Sequence, residues 1–176
     1  DEIGDLAAAF NKMTKDLKQY IYNLQEATAA KERIQSELKL GKDIQQRMLP
    51  HVFPPFPNRN ELDIYGIMQP AKEVAGDFYD FFFIDEDNFC FIISDVSGKG
   101  VPSALFMVIT KTLLNAEAQR DAVIENVMFH VNNTLTKNNE TSMFATLFCG
   151  ILNIKTSELY MVNAGHNPPI IGNNND

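Results

Sequence analysis

Two short segments set acids between glycines: Gly76-Asp77-Phe78-Tyr79-Asp80 and Ser94-Asp95-Val96-Ser97-Gly98-Lys99-Gly100. Carboxylate oxygens are the ligands that hard ions such as Mg2+ and Mn2+ prefer. Two carboxylates brought close repel unless a proton or a cation lies between them. Gly76, Gly98 and Gly100 let the main chain approach an ion or a phosphate with no Cβ in the way. Asp77 and Asp95 are therefore the candidate metal-binding pair, although plain solvated acids at strand ends fit the same spacing. Asp80 reads as a supporting neighbour of that pair or as a surface residue. Lys99 is either a cation that steers an anionic substrate or a solvated loop lysine. The run Gly98-Lys99-Gly100 lacks the G-x-x-x-x-G-K-[ST] pattern, which excludes a phosphate-binding loop of that type. His166, within Asn163-Ala164-Gly165-His166-Asn167-Pro168-Pro169, can donate a proton, contact phosphate, or simply hold its loop. His51 and His130 have no acid or cysteine at ligand spacing.

The elements that must position these residues are legible in the pattern. Phe78–Ile84 and Phe89–Ser94 are dense in aromatic and β-branched residues and flank the turn-forming Asp85-Glu86-Asp87-Asn88, which predicts a β-hairpin. In a hairpin the start of one strand lies opposite the end of the next, so Asp77 and Asp95 are expected at one sheet edge. Phe81-Phe82-Phe83 is expected to be continuous core. Pro102 suits a first helical turn, and helices are expected over Ser103–Gln119 and Ala122–Thr136. Further strands are expected at Glu61–Met68, Met143–Leu152 and Leu159–Asn163. The order ββ, αα, ββ predicts an α+β fold, an antiparallel sheet with paired helices on one face.

Upstream, positions 3, 6, 10, 13, 17, 20, 24, 27, 31, 34, 38, 41, 45 and 48 advance in steps of three and four, and only Lys31, Gly41 and Gln45 among them are not apolar. That period keeps one seam facing a partner helix and predicts a coiled coil, with a parallel homodimer as the expected assembly and a helix folded back on the domain as the alternative. At ~1.5 Å per residue the rod is roughly 70 Å long. Pro50, Pro54, Pro55 and Pro57 stop the helix at Leu49 and make residues 50–60 a stiff connector.

The chain has 176 residues, 45% of them hydrophobic, and a net charge of −8. Residues 1–49 balance eight acids with eight bases, so of 23 acids and 15 bases in all, 15 and 7 fall in residues 50–176. A domain that acidic excludes nucleic acid as a partner and suits one that collects divalent cations. No run reaches the roughly 18 apolar residues of a membrane span. Cys90 and Cys149 lie inside apolar runs and read as two buried thiols. The chain opens on Asp1 with no signal peptide and is read as an excerpt of a longer protein.

Three ordered segments, AKEVAGDFYDFFFIDEDNFCFIISDVSGKGVPSALFM at 71–107, MFATLFCGILN at 143–153 and NAGHNPP at 163–169, closely resemble bacterial SpoIIE-type protein phosphatases. These are metal-dependent serine/threonine phosphatases related to protein phosphatase 2C, and the resemblance covers about residues 43–172. The opening DEIGDLAAAFNKMTKDLKQYI is similar to the second helix of a HAMP signalling domain followed by a connecting coiled coil. The resemblance implies a HAMP helix at 1–22, a signalling coiled coil at 23–49, the connector at 50–60 and the N-terminal part of a phosphatase domain, an α/β sandwich with antiparallel sheets, at 61–176. It implies that Asp77, Asp95 and the Val96 carbonyl hold a centre of two Mn2+ or Mg2+ ions, with Asp80, Gly98, Lys99 and His166 nearby. The helices near 103–137 resemble a pair whose tilt assembles the metal site when an upstream coiled coil rearranges. The implied substrate is a phosphoserine or phosphothreonine on a regulatory protein of the anti-sigma-factor antagonist type, in a membrane-bound sensor whose output faces the cytoplasm. Two departures stand out. Ala75-Gly76-Asp77 replaces the usual Gly-Gly-Asp, and the family's later Asp-Gly motif and final metal-binding aspartate are not reached by Asp176. The expectation is an incomplete metal site and little activity for this excerpt, the alternative being a non-catalytic dimeric signalling module. A histidine kinase is excluded because residues 1–49 contain no histidine.

Overall fold

Strands, helices and turns fall where their residues favour them. The computed structural model describes residues 2–70, 73–137 and 139–172, and it divides the chain into two units, residues 1–40 and 41–176. The expectations that touch Ala71, Lys72 and residues 173–176 lie outside the described residues. The helix α1 runs from Glu2 to Arg47. In the first unit its heptad residues Leu6, Phe10, Met13, Leu17, Tyr20, Leu24 and Ile34 are 54–71% exposed. The helix ends two residues earlier than Pro50 alone requires. Met48 and Leu49 donate to Gln45 and Gln46 in a tightened last turn.

In the second unit, β1 (Phe78–Phe83), β2 (Asn88–Val96), β3 (Ala145–Asn153) and β4 (Glu158–Ala164) form one antiparallel sheet in the order β1-β2-β3-β4. Asp85 closes the first hairpin, its Oδ1 accepting from the N–H groups of Asp87 and Asn88. Between β2 and β3 the chain forms α2 (Val101–Arg120) and α3 (Ile124–Thr136). The α+β order therefore stands as the pattern predicts.

Alternation divides the sheet into two faces. Phe78, Cys90, Ile92, Val96, Leu147, Cys149 and Ile151 pack with Met107, Leu114, Ala118, Val127 and Val131 of the two helices. Cys90 and Cys149 are free thiols, both buried, with their sulfurs 3.9 Å apart. The contact with Cys149, and then burial, push the Cys90 thiol far above its usual range, so it stays protonated. On the other face Phe81, Phe83 and Phe89 meet Phe53 and Phe56, with ring centroids 5.0 to 6.2 Å apart. The proline-rich stretch is thus more than a connector: its two phenylalanines cover part of the sheet.

Glu61–Met68 departs from expectation. It is extended and alternates between exposed and half-buried residues, yet it joins no ladder among the described residues. Period-two sequence sets the conformation of a strand, but a partner is needed to make it one.

Farther along that face Phe91 lies over Gly150, and a Cβ built at Gly150 would come 2.3 Å from the ring. Gly150→Ala is expected to destabilise the domain by about 1–3 kcal/mol through overpacking. Adding Phe91→Leu should recover part of that loss in urea unfolding.

Candidate metal centre

The hairpin register does the positioning. Phe78 pairs with Ser94, so one step beyond the strand Asp77 stands opposite Asp95. The two share a cavity of about 380 Å3 with Gly76, Val96, Gly98 and Lys99. A second cavity of about 320 Å3 is lined by the same two acids and by His166. Burial first, then the Asp95 carboxylate beside it, push the Asp77 carboxyl above its ordinary pKa, with His166 pulling the other way.

Neutral side chains hold the surrounding main chain. The Ala75 N–H donates to Gln45 Oε1 at 3.0 Å, and Gln45 Nε2 donates to the Ala75 carbonyl at 2.8 Å. Gln45 is 4% exposed. After Asp95, the Ser97 N–H donates to the Phe144 carbonyl while the Phe144 N–H donates to Ser97 Oγ. Thr146, paired with Asp95 across the ladder, contacts His166 Nδ1 at 2.9 Å. The His166 N–H donates to Asn163 Oδ1 and its carbonyl accepts from Asn163 Nδ2, so this histidine both holds its loop and stands beside the acids. Gly98 and Gly100 have φ of +87° and +79°.

Asp80 is apart from the pair. It faces the helices and forms a buried ion pair with Lys111 of α2, so it is not a surface residue. Gln45 had a sequence signal, a polar residue at an apolar heptad position, but nothing in the pattern pointed it at Ala75. Ser103 had none. Its hydroxyl is buried with no hydrogen-bond partner, in the wall formed by Gly76 and Val96. A Cβ at Gly76 would lie 2.1 Å from Ser103 Oγ and 3.0 Å from the Val96 carbonyl oxygen, so only glycine fits there.

The donors suit a hard divalent cation: two carboxylates with no ion pair among the described residues, a main-chain carbonyl in the same cavity wall, and no nitrogen or sulfur ligand required. Among the described residues no group of three or more His, Cys, Asp or Glu side chains converges on a point that could hold a metal ion, so the donors there are the two carboxylates and the main chain beside them.

Two outcomes follow from this geometry. Because folding raises the Asp77 pKa, this pair makes the metal-free domain less stable as pH rises through the carboxylate range. Asp95→Asn should reduce that slope to the part that burial causes and raise the melting temperature at pH 7 relative to the unsubstituted chain, with the difference vanishing below about pH 4. Gln45→Ala leaves the Ala75 N–H and carbonyl unpaired and should cost about 1–3 kcal/mol in denaturant unfolding.

Protein IcfG of Synechocystis sp. is 31% identical to this chain over 98% of its residues and 30% of the relative's own length. Phosphoserine phosphatase RsbU of Bacillus subtilis is 31% identical over 78% of the chain and 40% of its own. The chain thus spans less than half the length of either relative. Among solved structures, the SiaA-PP2C domain of Pseudomonas aeruginosa superposes with a TM-score of 0.59 at 19% identity, covering 76% of this chain and 54% of that one, a likeness of fold. The family described as Stage II sporulation protein E (SpoIIE) matches residues 85–176, more than half of the sequence, and the chain belongs to it.

Proposed function

We propose that this chain carries part of a metal-dependent serine/threonine protein phosphatase acting on a regulatory phosphoprotein of the anti-sigma-factor antagonist type. The observation that carries the reading is the facing pair Asp77 and Asp95 in one cavity with Val96. Membership of the SpoIIE family and the name of the relative RsbU support it. A bound Mn2+ or Mg2+ supplies a Lewis acid that withdraws charge from phosphoryl oxygens and acidifies water. The chain's own residues do the rest. Asp77, Asp95 and the Val96 carbonyl hold the cation, Gly76 keeps the wall clear, Gln45 fixes the main chain before Asp77, and His166 faces the site from its anchored loop.

Mn2+ titration calorimetry and Mn2+-dependent hydrolysis of a phosphoserine peptide test this reading. Asp95→Asn should weaken Mn2+ binding at least about tenfold, the loss of a charged ligand, and abolish hydrolysis while far-ultraviolet circular dichroism is unchanged. Unaltered Mn2+ affinity would remove the assignment. Mn2+ binding without hydrolysis by any longer form of the protein would favour the non-catalytic module.

The exposed heptad seam between Leu6 and Ile34 supports a parallel homodimer through residues 1–40, as the output end of a membrane-bound sensor with a HAMP-like helix at 1–22. Sedimentation should give a dimer for the unsubstituted chain and a monomer for Leu17→Asp combined with Leu24→Asp. A monomeric unsubstituted chain at micromolar concentration overturns the dimer.

A further inference from the structure

From residue 50 onward the chain is short of positive charge, and four of its six described basic side chains are held in ion pairs. Its described basic side chains from residue 50 onward are Arg59, Lys99, Lys111, Arg120, Lys137 and Lys155. Arg59 pairs with Glu61, Lys111 with Asp80, Arg120 with Glu117 and Lys155 with Asp87. Lys137, at the C-terminal cap of α3, has no ion pair among the described residues, but it does not line the cavity at Asp77 and Asp95. Lys99 has no ion pair among the described residues either; it is exposed, and of these six it is the one that lines the cavity holding both Asp77 and Asp95.

Its placement within that cavity is informative. A lysine that served to neutralise the carboxylate pair would sit on it, but among the described residues no ion pair within 4 Å joins Lys99 to either acid. The charge beside Asp77 is that of Asp95 and His166, and Lys99 is not among its neighbours in charge. Lys99 and the carboxylate pair therefore line one cavity with no ion pair between them among the described residues. A cation at the carboxylates would share with that ammonium a cavity of about 380 Å3, large enough for a small anionic group. Like charges separated in this way attract an anion between them. A compact ammonium on a flexible stem suits a tetrahedral oxyanion as a point charge. At Gly98 and Gly100 a side chain would meet nothing within 4 Å, so the loop on both sides of Lys99 is open.

We propose that Lys99 is the substrate-binding residue that holds the phosphate group of the phosphorylated side chain, opposite the cation held by Asp77 and Asp95. This rests on the phosphatase reading of the same cavity.

The test uses the Mn2+-loaded chain, with Mn2+ and a phosphoserine peptide each titrated by calorimetry. Lys99→Ala should weaken the phosphopeptide about tenfold, as loss of a charge-assisted hydrogen bond does. It should also flatten the dependence of that affinity on salt. Lys99→Arg should retain affinity within about threefold. Mn2+ affinity should be unchanged or tighter in Lys99→Ala, because a like charge has been removed; a lysine that merely supported the loop would lose Mn2+ as well. Phosphopeptide affinity within twofold of the unsubstituted chain in Lys99→Ala would overturn the proposal and leave the phosphatase reading standing. Equal losses of phosphopeptide and Mn2+ in both variants would overturn it in favour of a structural role. An unsubstituted chain that binds neither Mn2+ nor phosphopeptide would overturn the reading and the proposal together.

Discussion

Once β1 and β2 pair with Phe78 against Ser94, the main chain sets Asp77 opposite Asp95. Two carboxylates in that position repel, and the Asp77 pKa is raised, by burial first and then by Asp95, with His166 offsetting only part of the rise. Nothing local favours the arrangement. It persists because the hairpin is fixed elsewhere, by the aromatic alternation that buries Phe78, Ile92 and Val96 under the helices and by the turn that Asp85 closes. Stability made in the core and the turn is what holds the pair together, and such local conflict is characteristic of functional sites.

The loops beside the acids are held by main-chain hydrogen bonds from neutral groups. Gln45 meets both polar atoms of Ala75, Ser97 and Phe144 exchange two bonds, and Asn163 holds both ends of the His166 peptide. Neutral partners fix geometry without altering the charge of the site, whereas an arginine or lysine placed there would neutralise the carboxylates that a divalent cation needs. The missing Cβ at Gly76 serves the same end, since it lets Val96 and Ser103 close in behind Asp77.

Much of this was legible before any coordinates. The hairpin, its turn, both helices and the last two strands follow from periodicity and turn chemistry, and the meeting of Asp77 with Asp95 follows from the hairpin alone. Residues whose behaviour depends on distant partners were not legible. Glu61–Met68 has the alternation of a strand, but a ladder requires a second chain segment and periodicity does not supply one. Prolines made residues 50–57 look like a spacer, whereas the two phenylalanines among them pack on the sheet. Gln45 looked like a flaw in a heptad seam because its true partner lies 30 residues away.

Asp77 and Asp80 show how strand geometry sorts identical side chains into opposite fates. Three residues apart, they point to opposite faces of β1 and its extension. Asp80 shares the parity of Phe78, enters the layer beneath the helices and meets Lys111 there, an acid that is buried because its counter-charge is buried with it. Asp77 shares the parity of Tyr79 and turns away from that layer toward the cavities where Asp95 and His166 also stand. Shifting the hairpin register by one residue would exchange these environments, leaving Lys111 without its acid and the cavity without its pair. The helix-facing core and the candidate metal centre therefore depend on one register.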